Sequence, residues 1–221
     1  MDQRESIKKT ELFVQQVMQE DCTGHDWYHV NRVRDTAKYI HKQENLGDLF
    51  IIEMSALLHD VADEKLNKSK EAGEKKLNSF LQELSLPSEI SEEIINVIAG
   101  ISYKGGNNQR PLTIESKIVQ DADRLDALGA LGIARTFAYG GSKNQPIYDP
   151  ALTVRNKMTV EEYRQGKSSS INHFYEKLLK LKEGLNTPAA IKIANERHHF
   201  METFLQQFFN EWNGSYENDF S

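Results

Sequence analysis

The stretch 51–60, IIEMSALLHD, joins an apolar run to the doublet His59-Asp60. The run predicts an amphipathic helix that ends at the doublet, so that the imidazole and the carboxylate can turn toward one point. Neutral imidazole nitrogens and carboxylate oxygens are both ligands for divalent ions. This stretch therefore predicts a helix of the fold and half of a metal site at its end.

Two further segments supply the rest of such a site. His29 lies in the segment 25–29, HDWYH, and Asp123 lies in the segment 121–126, DADRLD. With the doublet they give two imidazoles and two carboxylates, a mixed nitrogen and oxygen set that suits Mn²⁺, Fe²⁺, Ni²⁺, Zn²⁺ or Mg²⁺. We therefore expect one divalent ion to be bound by His29, His59, Asp60 and Asp123.

The composition limits the classes of protein to consider. A chain of 221 residues is long enough for one buried core without a second domain. Its net charge of -6 opposes binding to nucleic acid, although a local cluster of cations can still hold one small phosphorylated ligand. One cysteine excludes an internal disulfide, and no stretch resembles a membrane span or a signal peptide. These features predict a soluble cytoplasmic protein.

The apolar spacing is helical almost throughout, and no stretch alternates like a β-strand. The segment 23–26, TGHD, matches a capping box in which Thr23 caps the helix that carries His29. The segment 139–166 is rich in Gly, Ser, Asn, Gln and Pro and predicts a long ordered loop or lid, with a capping box at 159–162. Further helices are predicted in the N-terminal segment, from about 48 to 59, near 72–84, 88–98 and 112–132, and over the C-terminal part from 168 to 212, where Thr187 and Pro188 begin the last one. The chain is expected to form an all-α single domain, a helical bundle over residues 1–221.

Several segments resemble the HD superfamily of metal-dependent phosphohydrolases, which is named for the doublet. The resemblance covers 25–33 (HDWYHVNRV), 56–63 (ALLHDVAD), 120–129 (QDADRLDALG), 132–135 (GIAR) and Gly140-Gly141. In this form the chain is similar to the small soluble bacterial branch that includes the YpgQ-type nucleotide pyrophosphohydrolases. The resemblance implies an HD-type helical bundle, a divalent ion with Mn²⁺ favoured and Mg²⁺, Co²⁺, Ni²⁺, Fe²⁺ or Zn²⁺ as alternatives, and a small-molecule nucleotide as substrate.

The aspartate that completes the ligand set has three candidates. Helical geometry turns Asp121 away from Asp123 by about 160–200°. The resemblance favours Asp123, because HD proteins usually place this ligand in an Ala-Asp dipeptide. Asp126 lies on nearly the same helix face and is expected to orient a ligand or to approach the substrate.

The resemblance also suggests catalytic and substrate-binding groups near the doublet. Asp63 lies four positions after His59, where related enzymes carry an acid that activates water, and Glu64 follows it. Both could instead be ordinary acids of a loop. His25 could meet a phosphate or act as a general acid, or simply pack in the first helical turn.

Phosphate chemistry needs cations that face the phosphate oxygens. The candidates are Arg32, Lys104 and Arg124, each of which could also be an ordinary surface charge. Arg124 could instead pair with Asp121 or Asp126.

These expectations favour hydrolysis of a nucleoside triphosphate to the monophosphate and pyrophosphate. A 5'-nucleotidase, a cyclic-nucleotide phosphodiesterase and a non-catalytic nucleotide or metal sensor are the alternatives. No nucleic acid or membrane partner is expected. A homodimer through the aromatic C-terminal end is an open alternative to burial of that end in the core.

Overall fold

A computed structural model of the chain describes residues 2–19, 26–63, 66–101, 111–156, 158–159, 161–162 and 166–215. Within these ranges all regular secondary structure is helical, as the sequence predicts. The first seven helices are α1 (Gln3–Val17), α2 (Trp27–Glu44), α3 (Leu49–Leu58), α4 (Lys70–Glu83), α5 (Ser88–Ala99), α6 (Ile114–Asp126) and α7 (Gly129–Ser142). A composite segment, α8, begins as the α-helix Ser170–His173, continues through the π-helix Phe174–Leu178 and the α-helical Leu179–Leu181, and ends in the 3-10 turn Lys182–Gly184. The last helix, α9, spans Pro188–Trp212.

Helix α3 lies at the centre of the bundle. Asp48 caps it by accepting from the backbone N–H groups of Phe50 and Ile51, and every residue from Phe50 to Leu58 is buried. Helices α1, α2, α5 and α6 pack around it. The expectation that this helix is amphipathic is therefore wrong, because α3 is covered on all sides. The doublet at its C-terminal end consequently lies inside the molecule.

The predicted single helix over 112–132 is two helices. Helix α6 ends at Asp126, and α7 begins at Gly129, whose φ of 72° is in the left-handed region that favours glycine. Three residues later, a Cβ on Gly132 would lie 2.2 Å from the carbonyl oxygen of Ala127. This close approach folds α7 back against the end of α6, which positions the side chains of α7 beside the residues that end α6.

The predicted long excursion is ordered where the structure describes it. It begins after Ser142 and not at residue 139, because α7 continues through the pair Gly140-Gly141. The Tyr148 ring packs edge-on against Phe209 and Trp212 of α9, with centroid distances of 5.4 and 5.0 Å. The predicted capping box is present: Glu162 N–H donates to Thr159 Oγ1, and Thr159 N–H donates to Glu162 Oε2.

The C-terminal helices begin as the sequence predicts. Thr187 caps α9 by accepting from the N–H of Ala190, and Pro188 occupies the first turn. The buried carboxylate of Asp121 accepts from the backbone N–H groups of Asn186 and Thr187, so it joins α6 to the start of α9. In the described part of the chain, no helix combines the length and the apolar character that crossing a membrane requires.

Candidate metal centre

The first turn of α2 places His29. Asp26 is the N-cap of this helix, and its carboxylate accepts from the N–H of His29 at 2.8 Å. The expectation that Thr23 caps the helix while Asp26 reaches back is therefore wrong, since Asp26 itself holds the cap position. Thr23 lies outside the described residues.

Each histidine is held by its Nδ1 atom. His29 Nδ1 lies 2.7 Å from Asp126 Oδ2, and His59 Nδ1 lies 2.8 Å from the carbonyl oxygen of Ala56. Both acceptors favour the tautomer that carries its proton on Nδ1, which leaves Nε2 as the atom that can bind a metal.

The two Nε2 atoms meet two carboxylates at one point. Asp60 Oδ2 lies 3.3 Å from Nε2 of His29 and 3.3 Å from Nε2 of His59. Asp123 Oδ1 lies 3.6 and 3.7 Å from the same two nitrogens. Ligand atoms of His29, His59 and Asp123 all lie within 4.8 Å of one another. Asp60 adds a fourth donor to this group.

The donor set fits a divalent ion. Nε2 of His59 is buried and faces the carboxylate oxygens of Asp60 and Asp123 at 3.3 and 3.7 Å, as expected of an atom placed for a ligand. Two imidazoles and two carboxylates form a mixed set that accepts several divalent metals without selecting one of them. The arrangement is therefore a candidate His/Asp metal site.

The carboxylates also favour protons on the imidazoles when no metal is bound. Burial lowers the pKa of His59, but the charge of Asp60 and a hydrogen bond to it, together with the charge of Asp123, outweigh burial and raise the pKa to about 9. For His29, burial is again opposed, here by hydrogen bonds to Asp126 and Asp60, and its pKa is raised. The cluster thus attracts positive charge, whether from protons or from a cation.

Asp126 is the centre of a second group of charges behind His29. Arg32 Nε donates to its Oδ1 at 2.7 Å and Arg32 Nη2 to its Oδ2 at 3.0 Å. Arg135 Nη1 of α7 donates to Oδ2 at 2.5 Å. Burial raises the pKa of Asp126, but hydrogen bonds from His29 and Arg32 outweigh it and hold the pKa well below its usual range. Of the two expected roles for Asp126, the geometry supports that of orienting a ligand.

Arg135 is a residue that the sequence analysis left without a role. It lies in the segment 132–135, GIAR, which carries part of the family resemblance. Gly129 was the sequence signal from which the position of Arg135 could have been predicted, since a helix break there turns α7 back toward Asp126. Without that break, Arg135 would lie more than two turns beyond Asp126 on a continuing helix.

Two other predicted site residues, Arg124 and Asp63, each donate to a backbone carbonyl oxygen. Arg124 donates from Nη1 to the carbonyl oxygen of Gly184, at the end of α8. Asp63 lies in the turn after the doublet, where its N–H donates to the carbonyl oxygen of Asp60 at 3.0 Å. The other three predicted residues, His25, Glu64 and Lys104, lie outside the described residues.

Comparison with known proteins supports the same family. A family model described as HD domain matches residues 26–128. The YpgQ protein of Bacillus subtilis is 37% identical over 94% of this chain and 94% of its own. Its crystal structure in complex with ADP covers 96% of this chain and 97% of that chain, with 36% identity and a TM-score of 0.74.

Two further crystal structures are similar over nearly the whole chain. A protein from Lactobacillus plantarum is 34% identical with a TM-score of 0.88, over 97% of this chain and 100% of that one. An HD-superfamily hydrolase from Bacillus thuringiensis is 50% identical with a TM-score of 0.74, over 96% of this chain and 99% of that one. The chain described here therefore belongs to the HD superfamily of hydrolases.

Proposed function

We propose that this protein is a metal-dependent nucleotide phosphohydrolase that converts nucleoside triphosphates to monophosphates and pyrophosphate. The observation that carries the proposal is the convergence of the two Nε2 atoms on Asp60 Oδ2, at 3.3 Å from each. A mixed nitrogen and oxygen centre beside a charged arginine group is suited to hydrolysis of phosphate bonds. The relative YpgQ has been crystallised in complex with ADP, which supports a nucleotide as the ligand.

The ion would be held by His29, His59, Asp60 and Asp123, and Mn²⁺ is our first choice. When bound, a divalent ion at such a site polarises a phosphoryl oxygen and lowers the pKa of a water ligand. The Nδ1 contacts of the two histidines keep their Nε2 atoms directed inward, so the ligands do not have to reorganise when the ion enters.

The chain's own residues supply the other functions. Asp63 follows the doublet in a tight turn and is proposed to accept the proton of the attacking water. Arg32 is proposed to meet the phosphate oxygens, because its side chain is 34% exposed even while it pairs with Asp126. The negative charge of the departing pyrophosphate would be stabilised by Arg32 and the divalent ion.

A product assay over a nucleotide panel tests the proposal. Purified protein is incubated with nucleoside triphosphates, monophosphates and cyclic nucleotides in the presence of Mn²⁺, Mg²⁺, Co²⁺ or Ni²⁺, and the products are identified. Monophosphate and pyrophosphate are expected. Free phosphate from monophosphates would indicate a 5'-nucleotidase, and a linear product from cyclic nucleotides would indicate a phosphodiesterase. Binding of metal and nucleotide without turnover would overturn the enzymatic proposal.

The variant His59→Ala provides the matched control for the metal centre. We expect it to abolish product formation, because it removes one of the two imidazoles that face Asp60. Circular dichroism should show an unchanged helical content. Product release equal to that of the natural protein would contradict the proposed site.

A further inference from the structure

Two arginines share one carboxylate beside the candidate metal centre. Arg32 comes from α2 and Arg135 from α7, and both donate to Asp126 at 2.5–3.0 Å. A single carboxylate neutralises only one guanidinium, and His29, the third donor to Asp126, adds no negative charge. Within the group of Asp126, Arg32 and Arg135 the two guanidinium charges exceed the one carboxylate charge, while Asp26 acts on Arg32 electrostatically from outside the group.

The two arginine side chains are partly exposed, whereas the carboxylate that they share is buried. The Asp126 side chain is 4% exposed, whereas Arg32 is 34% and Arg135 is 20% exposed. Over the described ranges of the chain, Nη1 of Arg32 and the Nε and Nη2 atoms of Arg135 make no hydrogen bond. A guanidinium has five N–H donors in a planar fork, so each arginine can still bind an anion without leaving Asp126.

The arginine pair is separated from the ligand cluster by one imidazole ring. Arg135 Nη1 lies 3.1 Å from His29 Nδ1, and the Nε2 atom of the same ring lies 3.3 Å from Asp60 Oδ2. Both Arg135 Nη1 and His29 Nδ1 are donors to Asp126 Oδ2, so they are brought together by a shared acceptor. The arginine pair thus lies one imidazole ring away from the cluster, a separation that adjacent phosphate groups of one ligand are proposed to span.

We propose that Arg32 and Arg135 form a subsite for a second phosphate group, so that the protein selects nucleoside di- and triphosphates over monophosphates. This inference rests on the proposed nucleotide substrate and names the residues that would read its phosphate chain. Planar guanidinium groups bind phosphate oxygens through paired hydrogen bonds, which gives both affinity and geometric selection. Asp126 acts as the positioning residue that holds both arginines and His29.

Nucleotide binding measured by calorimetry tests this subsite. ADP and AMP are titrated into the Mn²⁺-loaded natural protein, into Arg135→Gln and into Lys143→Gln. Lys143 lies at the exposed end of the same helix, so its variant loses the same charge without touching Asp126. We expect the natural protein to prefer ADP over AMP by about tenfold or more, and Arg135→Gln to lose most of that preference through weaker ADP binding. Lys143→Gln should match the natural protein.

The subsite and an indirect effect through His29 give different results. If Arg135 only positions Asp126, the Mn²⁺ affinity of Arg135→Gln falls and the affinities for ADP and AMP fall together, which would overturn the proposal. Equal affinity of the natural protein for ADP and AMP would also overturn it. Arg135→Lys keeps the charge but loses the planar fork, and we expect a preference between those of the natural protein and Arg135→Gln.

Binding also separates this inference from the proposed function. A preference for ADP that depends on Arg135, with no product from any nucleotide of the panel, would retain the subsite and overturn the hydrolase. Turnover without any preference for the longer phosphate chain would retain the hydrolase and overturn the subsite.

Discussion

Asp126 and Glu176 are both buried carboxylates that accept from arginine, yet their surroundings differ. Asp126 receives two arginines and His29. Glu176 lies in the π-helical part of α8 and receives Arg155 of the excursion through Nε at 2.8 Å and Nη2 at 2.7 Å. Its remaining contacts are neutral donors, the N–H of Arg155 and the hydroxyl of Ser168.

The arginines differ in the same way. In Arg155, Nη1 donates to the carbonyl oxygen of Glu162, so each guanidinium nitrogen is used inside the protein. In Arg135, only Nη1 is used in this way within the described structure. A carboxylate paired with one arginine whose donors are all used holds two parts of the fold together, whereas two arginines that share one carboxylate and keep unused donors can bind a ligand. The comparison favours a structural role for Glu176 and supports the site role proposed for Asp126.

The largest expected effect comes from Asp126→Ala. It removes the acceptor of His29 Nδ1 and leaves two arginines without their carboxylate, so we expect the affinity for Mn²⁺ and the hydrolytic rate to fall by about 10–100-fold. Calorimetric titration with Mn²⁺ measures the first effect and a product assay the second. The variant Asp126→Asn keeps an oxygen acceptor and should lose less. An unchanged Mn²⁺ affinity in Asp126→Ala would mean that the contact with His29 does not support the site.

Glu176→Ala should lower the free energy of unfolding and leave the Mn²⁺ affinity nearly unchanged. It leaves the Arg155 guanidinium partly buried without its carboxylate, which we expect to cost about 2–3 kcal/mol of unfolding free energy, less than a fully buried pair because Arg155 is 23% exposed. Urea denaturation measures the loss, and Glu176→Gln is the milder control. The Mn²⁺ affinity should stay within about twofold of the natural value, since Glu176 contacts none of the four candidate ligands through its hydrogen bonds. A stable variant with weak Mn²⁺ binding would reverse the assignment of the two carboxylates.

The pH dependence of stability tests the electrostatics of the candidate metal centre. The pKa of His59 is raised from 6.5 to about 9 in the folded protein, so its protonated form stabilises the metal-free fold below pH 6.5. That stabilisation is lost as the pH rises from 6.5 to about 9, because the folded state then releases the extra proton.

We therefore expect the Tm of the metal-free protein to fall over this interval, by roughly 5–10 °C if the shift acts in full. Metal binding needs the neutral imidazole, so the apparent Mn²⁺ affinity should rise over the same interval. Scanning calorimetry with and without Mn²⁺ measures both trends. His59→Ala should remove most of the fall in Tm, and a fall of the same size in that variant would assign it to other groups.

The smallest effect is expected for Thr159→Ala in the excursion. It removes one half of an exposed capping box, whose loss costs about 0.5–1 kcal/mol in unfolding free energy. Because the excursion is also held by Arg155 and Tyr148, the Mn²⁺ affinity should not change. Urea denaturation gives the magnitude, and Thr203→Ala, an exposed threonine within α9, serves as the comparison. A loss well above that range would show that the capping box orders more of the excursion than itself.

Much of the fold could be predicted because its signals are local. Helix α3 begins near Asp48, Thr187 with Pro188 begins α9, and Thr159 with Glu162 forms the capping box where the sequence places them. These motifs act over one helical turn, so neighbouring residues are sufficient to specify them. The break between α6 and α7 was missed because the apolar periodicity continues across Gly129, and only the close approach of Gly132 to Ala127 shows why the chain turns there.

The four candidate ligands were identifiable because the choice of side chains is itself chemical. His29, His59, Asp60 and Asp123 are residue types that bind divalent ions, and the helix ending at the doublet directs two of them together. The choice of Asp123 among the nearby aspartates rested on the family resemblance. The role of Asp126 was left between orienting a ligand and meeting the substrate, and the role of Arg135 was not predicted. Their contacts join residues 29, 32, 126 and 135 from three helices. Spacing along one helix contains no information about such contacts.

The sequence by itself determined the helical class, the Thr187 cap of α9, the capping box at 159–162 and the chemistry of the ligand set, since each depends on residue type and on neighbours within a turn. Only the tertiary structure decided that α3 is buried on every side, that Arg32 and Arg135 meet at Asp126, and that Glu176 binds Arg155. Those contacts depend on where separate helices lie in space. The fold sets these positions through the packing of all its helices at once, and no single segment specifies them.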